Sequence, residues 1–304
     1  MTTIVFPGQG SQSQGMTKDF HDNFQISKLA FEEIEDYTNI DIRNIIFNND
    51  KNKLDITQFT QICIFASSYA IFKAFINETN FDIEKTNIMM GHSLGEYTAL
   101  TCSGKISLKD CSLILKKRGE LMNNSAPPNK TGMAALIGQN ANKVYEIINE
   151  NKLNLEIAND NSQIQIVVSG NINELEKSKD IFLKNSIKRF VMLNVSAAFH
   201  SKVMSNAQNT LSSFIDELNF IKNDIRIISN YDAKVYNDNL SIKKNLQNQM
   251  ANKVNWTKSV KKLEELGEKK IIEIGPNKVL SGLIKRISGN FDIKSINQIN
   301  DINL

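Results

Sequence analysis

Apolar residues along this chain recur with two different periods, and the change between them divides it into parts. Thr3-Ile4-Val5-Phe6 reads as a first strand over residues 3–7, running into the glycine-rich turn Pro7-Gly8-Gln9-Gly10-Ser11-Gln12. Helical spacing predicts helices over roughly 18–38 and 57–77. Ile88-Met89-Met90 reads as the end of a strand, followed by a helical stretch from Leu94 to Leu100. Ser107 opens another helix, with Asp110 three residues on as its capping-box partner, running to about Asn123. Asn124-Ser125-Ala126-Pro127-Pro128-Asn129 is the clearest linker.

Beyond the linker the style changes. Met133–Gly138, Leu155–Ala158, the strongly alternating Gln163–Ser169 and Lys188–Val195 read as strands. Ala141–Lys152 and Asn173–Asn185 read as helices between them. The order β-α-β-β-α-β is that of a small ferredoxin-like unit. From about residue 200 long helices and buried strands return, with strands at Ile225–Ile228 and Lys270–Ile274, then Gly275-Pro276 and a helix at Val279–Ile287. The expected fold is therefore α/β: a large domain with a mostly parallel sheet from residues 1–128 and 198–304, and an inserted ferredoxin-like α+β domain at 129–197. No internal repeat or low-complexity tract is visible.

Composition narrows the function classes. The 304 residues are 41% hydrophobic and 23% charged, which predicts a globular core and excludes disorder. A net charge of +3 does not argue for nucleic acid. No uninterrupted apolar run looks long enough to span a bilayer. No signal peptide is expected, because strand-like sequence begins at Thr3 with no basic segment before it. Cys63, Cys102 and Cys111 lack metal-binding or C-x-x-C spacing, so they are expected to be reduced thiols of a cytoplasmic protein, with no metal.

Chemistry concentrates at Gly91-His92-Ser93-Leu94-Gly95, which fits G-x-S-x-G. Strand, sharp turn, serine and helix are the context of a nucleophile elbow, in which the strained turn lifts the hydroxyl clear of the backbone. The bland alternative is a chance glycine-serine turn, and the strand and helix around it weigh against that. A serine hydroxyl needs a base within hydrogen-bond reach. The chain has three histidines. His21 lies ahead of the elbow, and His92 is its neighbour on the strand end, facing away from Ser93. His200 lies late in the chain, at the junction of the two expected domains, and is the candidate base; a structural histidine in a hinge is the alternative. The oxyanion donors expected at such an elbow are the N–H of Leu94 and one from the turn after the first strand, at Gln9. Gly8-Gln9-Gly10 lacks the further glycines or G-K-[ST] of a phosphate loop.

Arg118 falls on the apolar stripe of its helix with Leu108, Cys111, Leu115 and Met122. A guanidinium on a core-facing stripe is costly unless paired. Two readings stand on spacing alone: an internal salt bridge to an unidentified acid, or a bidentate clamp for a substrate carboxylate. A charge-assisted hydrogen bond contributes about 1.5–3 kcal/mol, so such a clamp would discriminate acidic from neutral acyl groups.

Six motifs in order, across nearly the whole length, make the chain resemble the malonyl-CoA:acyl-carrier-protein transacylases. They are Phe6-Pro7-Gly8-Gln9-Gly10-Ser11-Gln12, Gly91-His92-Ser93-Leu94-Gly95-Glu96, Arg118, Val195-Ser196-Ala197-Ala198-Phe199-His200-Ser201, the late segment from Gln249 to Trp256-Thr257-Lys258-Ser259-Val260, and Glu273-Ile274-Gly275-Pro276. The resemblance implies an α/β-hydrolase-like large domain and ping-pong transfer of malonyl through an ester on Ser93. It implies His200 as base, Gln9 and Leu94 as the oxyanion hole, and Arg118 on the carboxylate. A main-chain carbonyl at Gln249 is expected to orient the histidine, and Phe199 to crowd out an α-methyl group. Ala198 and Lys253 stand where many relatives carry proline, which puts local loop rigidity in question. A serine hydrolase, acetyl or methylmalonyl as donor and a decayed carrier-binding module are the rivals; Arg118 argues against the hydrolase and against acetyl, and the full set of site residues against the third.

The expected partners are malonyl-CoA and an acyl carrier protein, with no nucleic acid and no membrane. No permanently bound cofactor is expected: coenzyme A arrives as substrate, and the phosphopantetheine arm belongs to the carrier. Carrier proteins are acidic, so Lys188 and Arg189, with Lys184, Lys285 and Arg286, are docking candidates, although scattered surface lysines are the ordinary alternative. The length favours an enzyme acting alone, as a monomer.

Overall fold

The computed structural model of the chain describes residues 2–302, apart from the side chains at 50 and 51. From the N-terminus run β1 (Thr2–Phe6), α1 (Lys18–Asn23), α2 (Gln25–Thr38), α3 (Ile42–Asn48) and α4 (Thr57–Glu78). β2 (Thr86–Gly91), α5 (Leu94–Cys102) and α6 (Leu108–Asn123) follow. The middle of the chain forms β3 (Thr131–Ile137), α7 (Ala141–Glu150), β4 (Leu155–Ser162), β5 (Gln165–Asn171), α8 (Ile172–Lys184) and β6 (Arg189–Met192). The rest is α9 (Ser205–Asp216), β7 (Arg226–Ile228), β8 (Val235–Tyr236), α10 (Asn239–Gln247), α11 (Trp256–Glu265), β9 (Lys270–Ile274), α12 (Val279–Ile287) and β10 (Asp292–Ile296).

β-strands from both ends of the chain share one sheet, in the order β10-β9-β1-β2-β7-β8. Every neighbouring pair is parallel except β7 with β8. A parallel sheet covered on both faces needs apolar residues on both sides of each strand, which is why these strands read as continuous apolar runs. Ile4, Phe6 and Met89 pack toward α4 and α6, whereas Val5, Ile88 and Met90 pack toward Trp256, Leu263 and Leu283 on the other face.

α4 satisfies the length and apolarity of a membrane span, with a window of mean hydropathy 1.4, contrary to the expectation from the sequence. That window is 78% buried inside the protein, so here those residues build the core. The single helix expected over 18–38 is broken at Phe24, which is extended at φ −124 and ψ 117. Its ring lies 6.0 Å from that of Phe20 and packs on the core, so tertiary burial overrides the helical period there. Ser107 caps α6 as expected, accepting from the Asp110 N–H at 3.0 Å.

β3 to β6 form a second, antiparallel sheet in the order β4-β5-β3-β6. One face packs Ala134, Leu136 and Val168 against Val144 and Ile147 of α7 and Phe182 of α8. Met133, Ala135 and Val167 on the opposite face join the main core. The segment after α10 is tied to the outer edge of β4: the Asp160 N–H donates to the Val254 carbonyl at 3.0 Å, and the Val254 N–H to that of Ala158 at 2.9 Å.

Glycines permit close backbone approach beside the end of β2. A Cβ at Gly8 would lie 2.3 Å from the His92 carbonyl oxygen, and one at Gly95 2.1 Å from that of Phe6. Both obstacles are backbone, which cannot swing aside. Gly95→Ala is therefore expected to lower stability by about 1–3 kcal/mol through overpacking. Chemical denaturation measures it, and an unchanged midpoint would contradict this account of the packing.

Candidate active site

The loops at the C-terminal ends of β1, β2 and β7 meet at Ser93, the place where open parallel sheets hold their ligands. β2 ends at Gly91 and α5 begins at Leu94, so the chain reverses direction at Ser93, with φ 55 and ψ −108. A non-glycine residue held there stores strain of order 1–3 kcal/mol.

His200 reaches the same point from the chain after β6. Its Nε2 lies 2.9 Å from Ser93 Oγ. Its Nδ1 lies 3.1 Å from the carbonyl oxygens of both Gln249 and Asn252. Carbonyls only accept, so Nδ1 carries the proton and Nε2 is left with its lone pair. Arg118 Nη2 also donates to Ser93 Oγ, at 3.0 Å. Arginine cannot accept, so the serine's own hydrogen points to Nε2. The donor and acceptor inventory alone sets the imidazole as a base. Burial, then the nearby Arg118 charge and His92, lower the His200 pKa to about 3, against the two carbonyls that raise it. The ring is therefore neutral at physiological pH.

Arg118 lies on α6 with no surface exposed. Its Nη1 donates to Gln61 Oε1 at 2.6 Å, its Nη2 also to Gln249 Oε1 at 3.0 Å, and the guanidinium sits 5.3 Å from the Tyr97 ring centre. Among the described residues no carboxylate forms an ion pair with it, and its Nε has no hydrogen-bond partner. The internal salt bridge left open by the spacing is not what stabilises this cation. Burial lowers its pKa, opposed by Tyr97 and Glu96. Glu96 acts at one remove: Gln249 Nε2 donates to Glu96 Oε2 at 2.7 Å while Gln249 Oε1 accepts from Arg118. Burial raises the Glu96 carboxyl to about 7.

Gln249 thus touches the imidazole, the buried cation, the buried acid and the serine backbone. Its carbonyl accepts from His200, its side-chain oxygen from Arg118, and its side-chain nitrogen donates to Glu96 and, at 2.9 Å, to the Ser93 carbonyl.

The Gln9 turn abuts the elbow through Gly8, and Gln9 Nε2 donates to Thr57 Oγ1 at 3.3 Å. Among the described residues neither the Gln9 nor the Leu94 N–H has a protein acceptor. Phe199 is buried in the main core beside His200. The Ala198 N–H donates to Thr131 Oγ1 at 3.1 Å, a bond that proline would remove, so this loop is fixed by other means. Lys188 and Arg189 are exposed where β6 begins. His92 bonds Asn161 Oδ1 at 2.8 Å through Nε2, and His21 packs between Phe31 and Phe47; neither contacts Ser93 Oγ.

Gln61, Glu96, Asn230 and Asn252 were not anticipated. Gln61 carried a signal, being an amide at the head of the apolar run 62–66 on a largely buried helix. Asn252 contributes only its backbone, which no side-chain pattern reports.

A strained serine on a strand-to-helix turn, with a neutral imidazole on its hydroxyl, defines a site for acyl transfer through a covalent ester. The comparisons with known proteins agree on that class. The acyl transferase domain matches residues 3–297. A malonyl CoA-acyl carrier protein transacylase of Bacillus subtilis (strain 168) is 34% identical over 288 residues, 94% of this chain and 90% of that protein. One from Staphylococcus aureus (strain MSSA476) is 36% identical over 310 residues, 99% of this chain and 97% of its own. A solved malonyl-transacylase in complex with its type II PKS acyl-carrier protein superposes with a TM-score of 0.94 at 30% identity, covering 99% and 97% of the two chains. The chain belongs to the acyl transferase domain family.

With its pKa held near 3, His200 is expected to stay neutral from pH 8 down to pH 5. NMR of the ring carbons checks this, and a titration midpoint near the ordinary histidine value of about 6.5 would refute it.

Proposed function

We propose that this protein transfers a malonyl group from malonyl-CoA to the phosphopantetheine thiol of an acyl carrier protein, through a malonyl ester on Ser93, supplying units for fatty acid synthesis. The observation that carries this reading is Arg118: a fully buried cation with no paired carboxylate among the described residues, one of whose N–H groups already reaches the serine hydroxyl.

In the first half-reaction His200 Nε2 takes the Ser93 proton as Oγ attacks the thioester carbonyl. The oxyanion rests on the N–H groups of Gln9 and Leu94, which are free to donate. Its collapse expels coenzyme A, whose sulfur takes the proton from His200. The second half runs in reverse: the phosphopantetheine thiol gives its proton to His200 and attacks the ester, and Ser93 recovers the proton. Arg118 holds the malonyl carboxylate throughout, exchanging its contact with Ser93 Oγ for a charged partner. The carbonyls of Gln249 and Asn252 do the work that an aspartate does in a Ser-His-Asp triad: they fix the tautomer and bear part of the imidazolium charge. Phe199, next to the base, disfavours an α-methyl donor. Coenzyme A enters as substrate, and no resident cofactor takes part.

We read the fold as an α/β-hydrolase-like domain, residues 1–128 and 198–304, interrupted by a ferredoxin-like domain at 129–197; the outermost three residues lie outside those described. The β-α-β-β-α-β order and the antiparallel β4-β5-β3-β6 arrangement support the second half of that reading. The enzyme acts as a monomer in the cytoplasm, with Lys188 and Arg189 facing the acidic carrier.

The decisive experiment is a thioester panel followed by mass spectrometry. Malonyl-CoA is expected to leave a stable adduct on Ser93 and acetyl-CoA little. Arg118→Ala should narrow that gap, reducing malonyl loading by at least about tenfold for the loss of a charge-assisted contact. Equal malonyl loading in wild type and variant would remove the clamp. Reversing the charge at Lys188 and Arg189 should raise the KM for carrier protein and leave loading from malonyl-CoA intact; an unchanged KM excludes this patch from docking.

A further inference from the structure

Flanking glycines make room for the strained Ser93 turn but do not hold it there. Its neighbouring peptide groups are gripped instead by side chains from distant parts of the chain. Asn230 stands immediately beyond Ser229 at the C-terminal end of β7, the strand beside β2. Its carboxamide lies across the elbow: Oδ1 accepts from the Ser93 N–H at 2.6 Å, and Nδ2 donates to the Gly91 carbonyl at 2.7 Å. The residue is 1% exposed, so water does not take over these contacts.

Asn230 is itself anchored from behind. Its own N–H donates to Glu96 Oε2 at 3.1 Å, and its carbonyl accepts from the Asn255 N–H at 2.9 Å. Glu96 Oε2 also accepts from Gln249 Nε2, which donates to the Ser93 carbonyl. The peptide groups on both sides of Ser93 are thereby tied to one buried acid, Glu96, the N–H through Asn230 and the carbonyl through Gln249. The geometry has a chemical consequence. The Ser93 and Leu94 N–H groups are neighbours at the start of α5, and a donor already engaged at 2.6 Å cannot serve a developing oxyanion. Asn230 therefore leaves the Leu94 N–H as the donor on this side of the carbonyl.

We propose that Asn230, anchored by Glu96, is a positioning residue that holds Ser93 in its attacking conformation and directs the oxyanion to the Leu94 N–H. The proposal rests on the reading of Ser93 as the acylated nucleophile.

Two substitutions test it. Asn230→Ala removes both contacts. Asn230→Asp keeps an acceptor for the Ser93 N–H but sets a second oxygen against the Gly91 carbonyl. Each is compared with wild type and Ser93→Ala for the single-turnover rate of Ser93 malonylation, the apparent KM for malonyl-CoA, and the folded fraction by circular dichroism. Since a displacement of about 1 Å at a reacting group costs on the order of 10²-fold in rate, Asn230→Ala is expected to lose roughly that factor in the malonylation rate of folded enzyme. KM should change little, and Asn230→Asp should fall between. A folded Asn230→Ala that malonylates at the wild-type rate, or loses only in KM, overturns the proposal. Should Asn230→Ala fail to fold, a wild-type rate in Asn230→Asp overturns it equally. Malonylation that survives in Ser93→Ala would instead overturn the nucleophile reading, a distinct result.

Discussion

A single desolvated positive charge organises this site. Arg118 is fully buried on α6, and among the described residues no carboxylate is in contact with it. Removing such an ion from water costs several kcal/mol even after the protein relaxes. The fold offsets that cost with neutral dipoles: two glutamine oxygens, a serine oxygen and the face of a tyrosine. Neutral partners stabilise the cation without saturating it, which leaves it able to take a carboxylate from outside. A direct salt bridge would have satisfied Arg118 and left it no capacity for an outside anion. Placing Glu96 behind Gln249 keeps the acid out of contact with Arg118 and leaves the guanidinium available.

The same charge shapes the base. Burial, aided by Arg118, keeps the His200 imidazole neutral, while the Gln249 and Asn252 carbonyls fix which nitrogen carries the proton. An aspartate in place of those carbonyls would raise the imidazole pKa and would itself compete for the buried guanidinium. The use of main-chain acceptors is thus consistent with an arginine a few ångströms away. Gln249 takes part in both charge and tautomer, through its side-chain oxygen on Arg118 and its carbonyl on His200.

The large sheet makes these meetings possible. β1, β2 and β7 are neighbours and parallel, so their C-terminal loops emerge at one edge and bring Gln9, Ser93 and Asn230 together from widely separated positions. Gly8 and Gly95 let those loops approach to backbone contact. The small sheet is fastened through β4 to the segment around Val254, which also carries the Asn252 carbonyl facing His200 and the Asn255 side chain beneath Asn230. The base, the brace and the second sheet therefore share one short stretch of chain.

Much of this was legible locally. The elbow, the cap at Ser107, the limits of β9 and α12, and the place of Arg118 on an apolar stripe follow from spacing and turn chemistry, which act over a few residues. The sequence by itself determined that this chain has a parallel-sheet core, an embedded antiparallel unit and a serine on a strained turn, because hydrophobic period and glycine placement are local properties. The break at Phe24, the burial of α4 and the network of Gln61, Glu96, Asn230 and Asn252 were decided only by tertiary structure. Their partners lie far off in sequence or are backbone carbonyls, and no single segment records which distant group it will meet.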